Sequence, residues 1–192
     1  MLWAFANGYD SDPVCTEGYE APVKSIGNST TTPRDLETDL DVWIILMALS
    51  ESVSARLRKH GFKCKVVEIS IRDNGLNSIT RQKRISQPTN ITDEIVKAAF
   101  ELFKKHYRWE HPIRSLGVRG SDLVMEDIPV QLDLFDNQEK REKLERLDRA
   151  VDEIRRRFGY FSIQRAAMYQ DKVLSHLDAG THTVHPHSYF HG

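Results

Sequence analysis

The order of apolar and polar positions near the start of the chain predicts a strand followed by a long helix. Residues 23–31 are rich in β-branched side chains and lack helical periodicity, which favours an extended segment. Residues 32–35, Thr-Pro-Arg-Asp, then offer a hydroxyl cap, a proline suited to the first helical turn and a carboxylate three residues after the cap. The helix is expected to run to about His60, with Gly61 as its stop. Its apolar stripe comprises Leu36, Leu40, Trp43, Ile44, Met47, Val53 and Leu57.

Alternating apolar and polar side chains predict two further strands joined by a tight turn. Over residues 62–72, a valine and two isoleucines alternate with charged and polar residues, as in a strand with one buried face. Residues 73–75, Asp-Asn-Gly, are a strong turn signal. Residues 78–87 resume an extended pattern that Pro88 ends, so the two strands are expected to form a hairpin.

A second helix and a fourth strand complete this part of the pattern. Thr92 can cap a helix that runs to about Tyr107, and the preceding Ile91 is placed to pack against its first turn. Pro112 prevents the helix from continuing, and residues 113–123 have the character of a strand.

The order strand, helix, strand, strand, helix, strand is the split βαβ or ferredoxin-like pattern. It predicts an α+β fold in which a four-stranded antiparallel sheet carries both helices on one face and leaves the other face open. Strands one and four are then neighbours. If Ile26, Leu116 and Val118 point to the helices, small or basic residues point to the open face. These residues are Ser25, Gly27, Ser115, Gly117 and Arg119.

The chain changes character after residue 126. A highly charged helix is expected from Asn137 to Gly159, followed by a short helical piece around residues 162–169. The apolar residues of the long helix form a heptad-like seam: Leu144, Leu147, Val151, Ile154 and Phe158. This seam fits packing on the chain's own domain and pairing with another protein, including self-association over residues 140–158, equally well.

The end of the chain is rich in histidines: His176, His182, His185, His187 and His191. Histidines at this density can bind metal, but their spacing among Thr, Pro and Ser supplies no rigid ligand geometry. A flexible tail is therefore favoured over a metal site.

Composition and charge restrict the function classes. A chain of 192 residues with 40% hydrophobic content can bury one modest core. Its formal net charge of −1 excludes a uniformly basic protein, so a nucleic-acid role would need segregated charge. Basic residues do concentrate between residues 63 and 84, and acidic ones between 35 and 41. Solvated faces are the simpler explanation of such blocks, and charge alone does not decide.

The cysteine content and the apolar start exclude several other classes. Cys15 and Cys64 form no CxxC pair, which indicates neither a disulfide framework nor a zinc site and fits a reducing cytoplasm. The first eight residues are apolar but too short to span a membrane.

The open sheet face is a candidate site for nucleic-acid backbone. Hydroxyl, amide and backbone N–H groups bind phosphate oxygens without reading bases, and Lys and Arg add the favourable release of counterions. The candidate DNA-binding residues are Lys24, Ser25, Gly27, Asn28, Ser29, Thr30, Arg81, Lys83, Arg84, Arg114, Ser115, Gly117 and Arg119.

The same fold is also found in proteins of two other functional classes. An RNA-recognition module needs aromatic side chains on its two central strands, taken here as strand one and the 78–87 strand, and these contain none. A protein-interaction domain that recruits a repair partner without touching DNA is the alternative from a different class.

A family resemblance covers nearly the whole chain. Residues 23–31, Val-Lys-Ser-Ile-Gly-Asn-Ser-Thr-Thr, followed by Pro-Arg-Asp-Leu at 33–36, resemble the opening of the little-finger domain of Y-family translesion DNA polymerases of the UmuC/DinB type. Residues 113–119, Ile-Arg-Ser-Leu-Gly-Val-Arg, resemble its last strand, and residues 2–14 resemble the end of the preceding thumb domain.

The resemblance implies a domain that lies along the DNA major groove and holds the backbones of template and primer. The parent would be an error-prone polymerase of DNA repair and the SOS response. Residues 1–21 would be the end of the thumb, and 22–126 the little finger. Residues 137–192 resemble the extension of UmuC-like proteins of Gram-positive bacteria.

Residues 127–136 contain a peptide that resembles the bacterial motif for binding the sliding clamp. Its residues are Gln131, Leu132, Leu134 and Phe135. In such a peptide the glutamine makes amide hydrogen bonds while the apolar side chains fill pockets on the partner. The flanking Pro129, Asp133 and Asp136 disfavour a buried strand, so the clamp β subunit is an expected partner beside primer-template DNA.

No residues of the chain point to catalysis. In the family that it resembles, carboxylates of a palm domain hold two Mg²⁺ ions for nucleotidyl transfer. The chain shows no carboxylate pair, glycine-rich phosphate loop or Ser-His-Asp set in a context that suggests a substitute. We expect that this chain does not polymerise DNA and binds no cofactor, and that it is cytoplasmic.

Overall fold

The computed structural model describes residues 2–9, 22–127 and 137–177. A short helix, α1, covers Leu2–Ala6. The sheet domain consists of β1 (Ser25–Leu36), α2 (Asp39–Lys59), β2 (Phe62–Asp73), β3 (Ser78–Thr89), α3 (Thr92–His106) and β4 (Ile113–Met125). The extension consists of α4 (Gln138–Phe158), 3-10 turns at Tyr160–Ser162 and Ala166–Gln170, and α5 (Lys172–Ser175).

The four strands form one antiparallel sheet in the order β1-β4-β2-β3. Helices α2 and α3 contact each other and pack on the same side of the sheet. The predicted α+β fold is confirmed, as is the pairing of β1 with β4. The expectation that β1 and β3 are the central strands is wrong, because β4 pairs with β2 from Met125 opposite Phe62 to Ile113 opposite Asp73.

Strand β1 is longer than predicted, and α2 starts later. Thr32 and the proline that follows it lie in the strand, where the Thr32 hydroxyl donates to the carbonyl oxygen of Arg114 at 3.1 Å. An edge strand tolerates proline, and the register of β1 also shifts between Thr31 and Leu36. The prediction that Thr32 caps the helix is therefore wrong.

The cap of α2 is Thr38. Its hydroxyl accepts a hydrogen bond from the backbone N–H of Asp41 at 3.2 Å, and the Asp41 carboxylate accepts from the N–H of Thr38 at 3.1 Å. Burial opposes ionisation of Asp41, but hydrogen bonds from Arg34, from the Glu37 N–H and from Thr38 hold its pKa below the usual value.

Helix α3 has no cap of its own. Thr92, expected to be the cap, is the first helical residue, and the cap position is occupied by Ile91, which offers no side-chain hydrogen bond. The N–H of Thr92 instead donates to the carboxylate of Asp148 on α4 at 2.8 Å. A negative charge at a helix N-terminus is favourable, so the extension supplies the group that the local sequence lacks.

The core lies between the sheet and the two helices. Fully buried side chains from both layers form it, among them Ile44, Leu46, Leu57, Ile69, Ile71, Ile95, Phe103 and Leu116. Gly120 faces this core, because a Cβ at its position would lie 2.9 Å from the Cβ of Cys64. Burial raises the pKa of the Cys64 thiol to about 12, so this cysteine acts as a small apolar core residue.

The extension packs on the chain's own domain, and a buried arginine anchors it. The Arg58 side chain of α2 is 5% exposed and bonds Asp148 at 3.1 Å and Asp152 at 2.6 Å, both on α4. It also donates to the carbonyl oxygen of Asn90 at 2.6 Å. Buried charges persist only when they are paired and hydrogen-bonded, and all three nitrogens of this guanidinium have partners.

A second cluster of ion pairs surrounds Glu51 of α2. Its side chain is 6% exposed and contacts Arg155 at 2.9 Å and Arg165 at 3.1 Å. Arg165 also reaches Asp148 at 3.4 Å and contacts Asp93. The predicted apolar seam plays a smaller part, because Leu147 and Phe158, two of its members, are exposed.

We expect the Asp148→Asn variant to lose about 3 kcal/mol of unfolding free energy, because it leaves the Arg58 charge without one buried partner and weakens the N-terminus of α3. Chemical denaturation followed by circular dichroism measures this loss. The matched control is Glu153→Gln on the same helix, whose ion pairs with Arg156 and Arg157 are exposed, so this variant should lose much less stability. Equal losses in the two variants would contradict the anchoring role.

Candidate nucleic-acid interface

The sheet surface turned away from α2 and α3 consists of four cross-strand rows, which we call the open face. Each row crosses β1, β4, β2 and β3 in that order. The rows are Ser25, Ser121, Val66 and Arg84; Gly27, Arg119, Glu68 and Gln82; Ser29, Gly117, Ser70 and Thr80; Thr31, Ser115, Arg72 and Ser78. The rows between them contain the buried Ile26, Val67, Ile69, Leu116 and Val118. Successive strand side chains alternate between faces, so the four rows point away from the core.

The centre of the open face carries only short, polar side chains around Gly117, which has no side chain. A Cβ at this position would lie 2.4 Å from the hydroxyl oxygen of Ser70 and 3.0 Å from the Cβ of Ser29. The two serines therefore approach each other across the glycine. Such a surface lets the backbone of a ligand come close to the sheet.

Gly27 has a similar effect in the next row. A Cβ at Gly27 would lie 3.1 Å and 3.2 Å from the Cβ and Cγ of Arg119. The stem of this arginine thus occupies the space beside β1 that a side chain at residue 27 would take. The carbonyl oxygen of Gly27 accepts a hydrogen bond from Arg56 of α2 at 2.9 Å, which ties this part of β1 to the helix layer.

Arginines supply the positive charge of the open face, and two of them are paired. The guanidinium of Arg119 lies 3.4 Å from the carboxylate of Glu68, and that of Arg84 lies 3.1 Å from Asp122. Among the residues that the structure describes, no carboxylate pairs with Arg72. Hydroxyl side chains occupy the three rows other than that of Arg119, and such a combination of cations and hydroxyls binds phosphate oxygens without reading bases.

The open face contains more than half of the candidate residues. Those in its rows are Ser25, Gly27, Ser29, Arg84, Ser115, Gly117 and Arg119. Lys24 is exposed and directly precedes β1. The prediction that the serines and glycines of β1 and β4 share one uncovered surface is confirmed in the geometry.

Two candidates on β1 face the helices instead. Asn28 is buried and donates to the hydroxyl of Ser52 on α2 at 3.1 Å. Thr30 is buried on the same side, opposite Leu116. Their placement on the open face is wrong because every second residue of β1 must face the core.

Three basic candidates also lie outside the four rows. Arg81 pairs with Ile69 and is thus on the helix side of β3, as is Lys83, whose ammonium bonds Glu101 of α3 at 2.7 Å. Arg114 donates to the carbonyl oxygen of Thr32 at 2.9 Å, near the register shift of β1. Charge and strand assignment indicate Arg81 and Lys83, and the family resemblance indicates Arg114, but only the phase of the alternation in β3 and β4 shows which face these residues occupy.

Several open-face residues were not among the candidates: Thr31, Ser70, Arg72, Ser78, Thr80 and Ser121. The alternation in residues 62–72 already set Ser70 and Arg72 against the apolar side chains, so the same pattern could have identified them. The central strands β2 and β4, which the structure describes in full, show no aromatic side chain on this face. These two strands therefore lack the aromatic side chains that a base-stacking RNA module needs.

Other predicted sites lie outside the described residues. These are the peptide residues Gln131, Leu132, Leu134 and Phe135, the histidines from His182 onward, and Cys15. Within the described ranges, no three His, Cys, Asp or Glu side chains are grouped so that they could hold a metal ion. None of the described helices has the length and apolar character needed to cross a membrane.

Known proteins resemble the chain over most of its length. Residues 23–134 match the family described as the impB/mucB/samB family C-terminal domain. The DNA polymerase IV of Acetivibrio thermocellus is 48% identical over 176 residues, which cover 92% of this chain and 44% of that protein. DNA polymerase IV 2 of Bacillus subtilis is 36% identical over 171 residues, 87% of this chain and 40% of that protein. The chain thus spans less than half the length of these relatives.

A solved structure described as a complex of the beta-clamp processivity factor and the little finger domain of PolIV is also similar. Its TM-score is 0.45 with 16% sequence identity, and the match covers 58% of this chain and 99% of that chain.

We expect Gly117→Ala to reduce the unfolding free energy by about 1–3 kcal/mol, because the added Cβ would overlap Ser70 and press against the Cβ of Ser29. Thermal and chemical denaturation measure the change. Ser121→Ala, on the same strand and face, is the control and should stay within about 0.5 kcal/mol of the parent. A Gly117→Ala variant as stable as the control would show that the close approach at this row has no energetic importance.

Proposed function

Because the chain belongs to the impB/mucB/samB C-terminal domain family, the C-terminal domain of Y-family DNA polymerases, we propose that its open face binds the sugar-phosphate backbones of primer-template DNA. The observation that carries this proposal is the row of Ser29, Gly117 and Ser70, where only short side chains with hydroxyl groups project from the sheet. Arginines lie in the rows on both sides of it. Polar groups without aromatic platforms suit a ligand that is recognised by its backbone.

The mode of binding follows from the charges of this face. Each phosphate that an arginine neutralises releases counterions, which lowers the slope of log K against log salt by about 0.9. Arg72, Arg84 and Arg119 would supply this contribution, and the serine and threonine hydroxyls would position the strands. Binding of this kind ignores base identity, as a domain that holds damaged template must.

The full-length protein is proposed to be an error-prone translesion polymerase of DNA repair and the SOS response, active in the cytoplasm. Nucleotidyl transfer and its Mg²⁺ ions would belong to a palm domain, and this chain alone would not polymerise DNA. In this proposal the role of the described residues is to hold the DNA.

Clamp docking is the second part of the proposal. Residues 131–135 would bind the sliding clamp β subunit, with Leu132, Leu134 and Phe135 in apolar pockets and Gln131 making amide hydrogen bonds. The peptide stands between Met125, where β4 ends, and Asn137, which caps α4 through its side chain.

The Arg72→Ala variant should bind labelled primer-template roughly fivefold more weakly near 0.1 M salt. Its plot of log K against log salt should fall less steeply, by about 1 in slope. Fluorescence anisotropy over a range of salt concentrations measures both quantities. Arg81→Ala is the matched control, because it removes the same charge from the helix side of β3. Undetectable binding of the parent chain at low salt would favour a protein-interaction domain instead.

Replacing Leu134 and Phe135 together by alanine should abolish association with purified clamp in a pull-down, because the anchors for its apolar pockets are lost. The affinity for DNA should be unchanged. Leu76 and Leu147, which are 68% and 51% exposed, provide a control double alanine variant with a similar loss of apolar surface. Clamp binding that survives the first double variant would refute the assignment of the peptide.

A further inference from the structure

The row that contains Arg119 also contains the one acidic side chain of the open face. Glu68 lies on β2 directly opposite Arg119 of β4, and Gly27 is the neighbour on the other side. The side chain of Arg119 is 55% exposed and that of Glu68 is 21% exposed. A carboxylate thus occupies the middle of the surface that is proposed to receive phosphates.

The contact between the two charges is loose. The nitrogen and oxygen are 3.4 Å apart, whereas Arg58 and Asp152 in the extension approach to 2.6 Å. Charge-assisted hydrogen bonds between guanidinium and carboxylate or phosphate are usually about 2.7–2.9 Å long. Arg119 can therefore exchange Glu68 for a phosphate that offers a shorter contact.

Exchange leaves the carboxylate close to the bound anion. A phosphate that takes over Arg119 comes within a few ångströms of Glu68, and like charges at that distance repel each other even near the protein surface. Neutral residues at the other positions of the row, Gly27 and Gln82, do not offset this repulsion.

We propose that Glu68 limits the affinity of the open face for DNA by competing with phosphate for Arg119, an inference that rests on the proposed function. In the free protein Glu68 holds the guanidinium over the sheet. In the complex it raises the free energy of the bound state, which speeds release of the DNA. The residue thus sets how long the domain stays on a template.

The test compares the full chain with its Glu68→Gln variant in titrations with labelled primer-template, without divalent cations, at several salt concentrations. Removing the carboxylate should tighten binding roughly three- to tenfold at low salt. The gain should shrink as salt rises, because screening weakens the repulsion. Glu68→Thr, which suits a strand and also removes the charge, should give the same gain.

The matched control is Glu101→Gln. Glu101 also pairs with a cation, Lys83, at 2.7 Å, but on the helix side, so its removal changes the net charge equally at a distance from the open face. It should alter affinity less than twofold. Equal effects of the two glutamine variants, or weaker binding by Glu68→Gln, would overturn the inference while leaving the proposed function intact. If the parent chain does not bind DNA at all, both fail.

Discussion

Along β1 and β4 every second side chain has to serve the core, because Ile26 on one strand and Leu116 and Val118 on the other are buried beneath α2. The residues between them are thereby forced to the opposite surface. Gly117 allows the neighbouring serines to approach each other there, so no large side chain projects from this part of the surface. The polar open face is thus a direct consequence of how the core is packed, and a shift of register by one residue would destroy both.

The charged side chains of the chain have two separate roles. Arg58, Arg155 and Arg165 are paired with carboxylates at the contact between the sheet domain and the extension, where they hold α4 in place. The arginines of the open face are more exposed, with exposed fractions of 67% for Arg84 and 55% for Arg119. A net charge of −1 is therefore compatible with a local cationic surface, because acidic side chains such as Glu51, Asp148 and Asp152 pair with cations elsewhere.

Local patterns predicted most of the fold. The order of strands and helices, the start of α4 at Asn137 and its stop at Gly159 follow from short stretches of sequence, and the structure agrees. The start of α2 was misplaced because Thr32 and Pro33 carry the local signals of a helix cap, whereas an edge strand with a register shift accommodates them equally well.

Contacts between distant residues could not be predicted in this way. The cap of α3 comes from Asp148, which is 56 residues away from Thr92. The partners of Arg58 and the central position of β4 depend likewise on the assembled fold. For the candidate site, alternation predicts the positions of Ser25, Gly27, Ser115 and Gly117 correctly. Residue type, charge and family resemblance indicate Asn28, Thr30, Arg81 and Lys83, but these criteria take no account of the phase of the strands.

The most direct test of the central claim is a map of backbone amide chemical shifts of the full chain during titration with primer-template DNA. We expect the perturbed amides to cluster on the open face, with Ser29, Ser70 and Gly117 among the strongest and Arg81 and Lys83 little changed. Perturbations concentrated on α2 and α3, or none at saturating DNA and low salt, would contradict it.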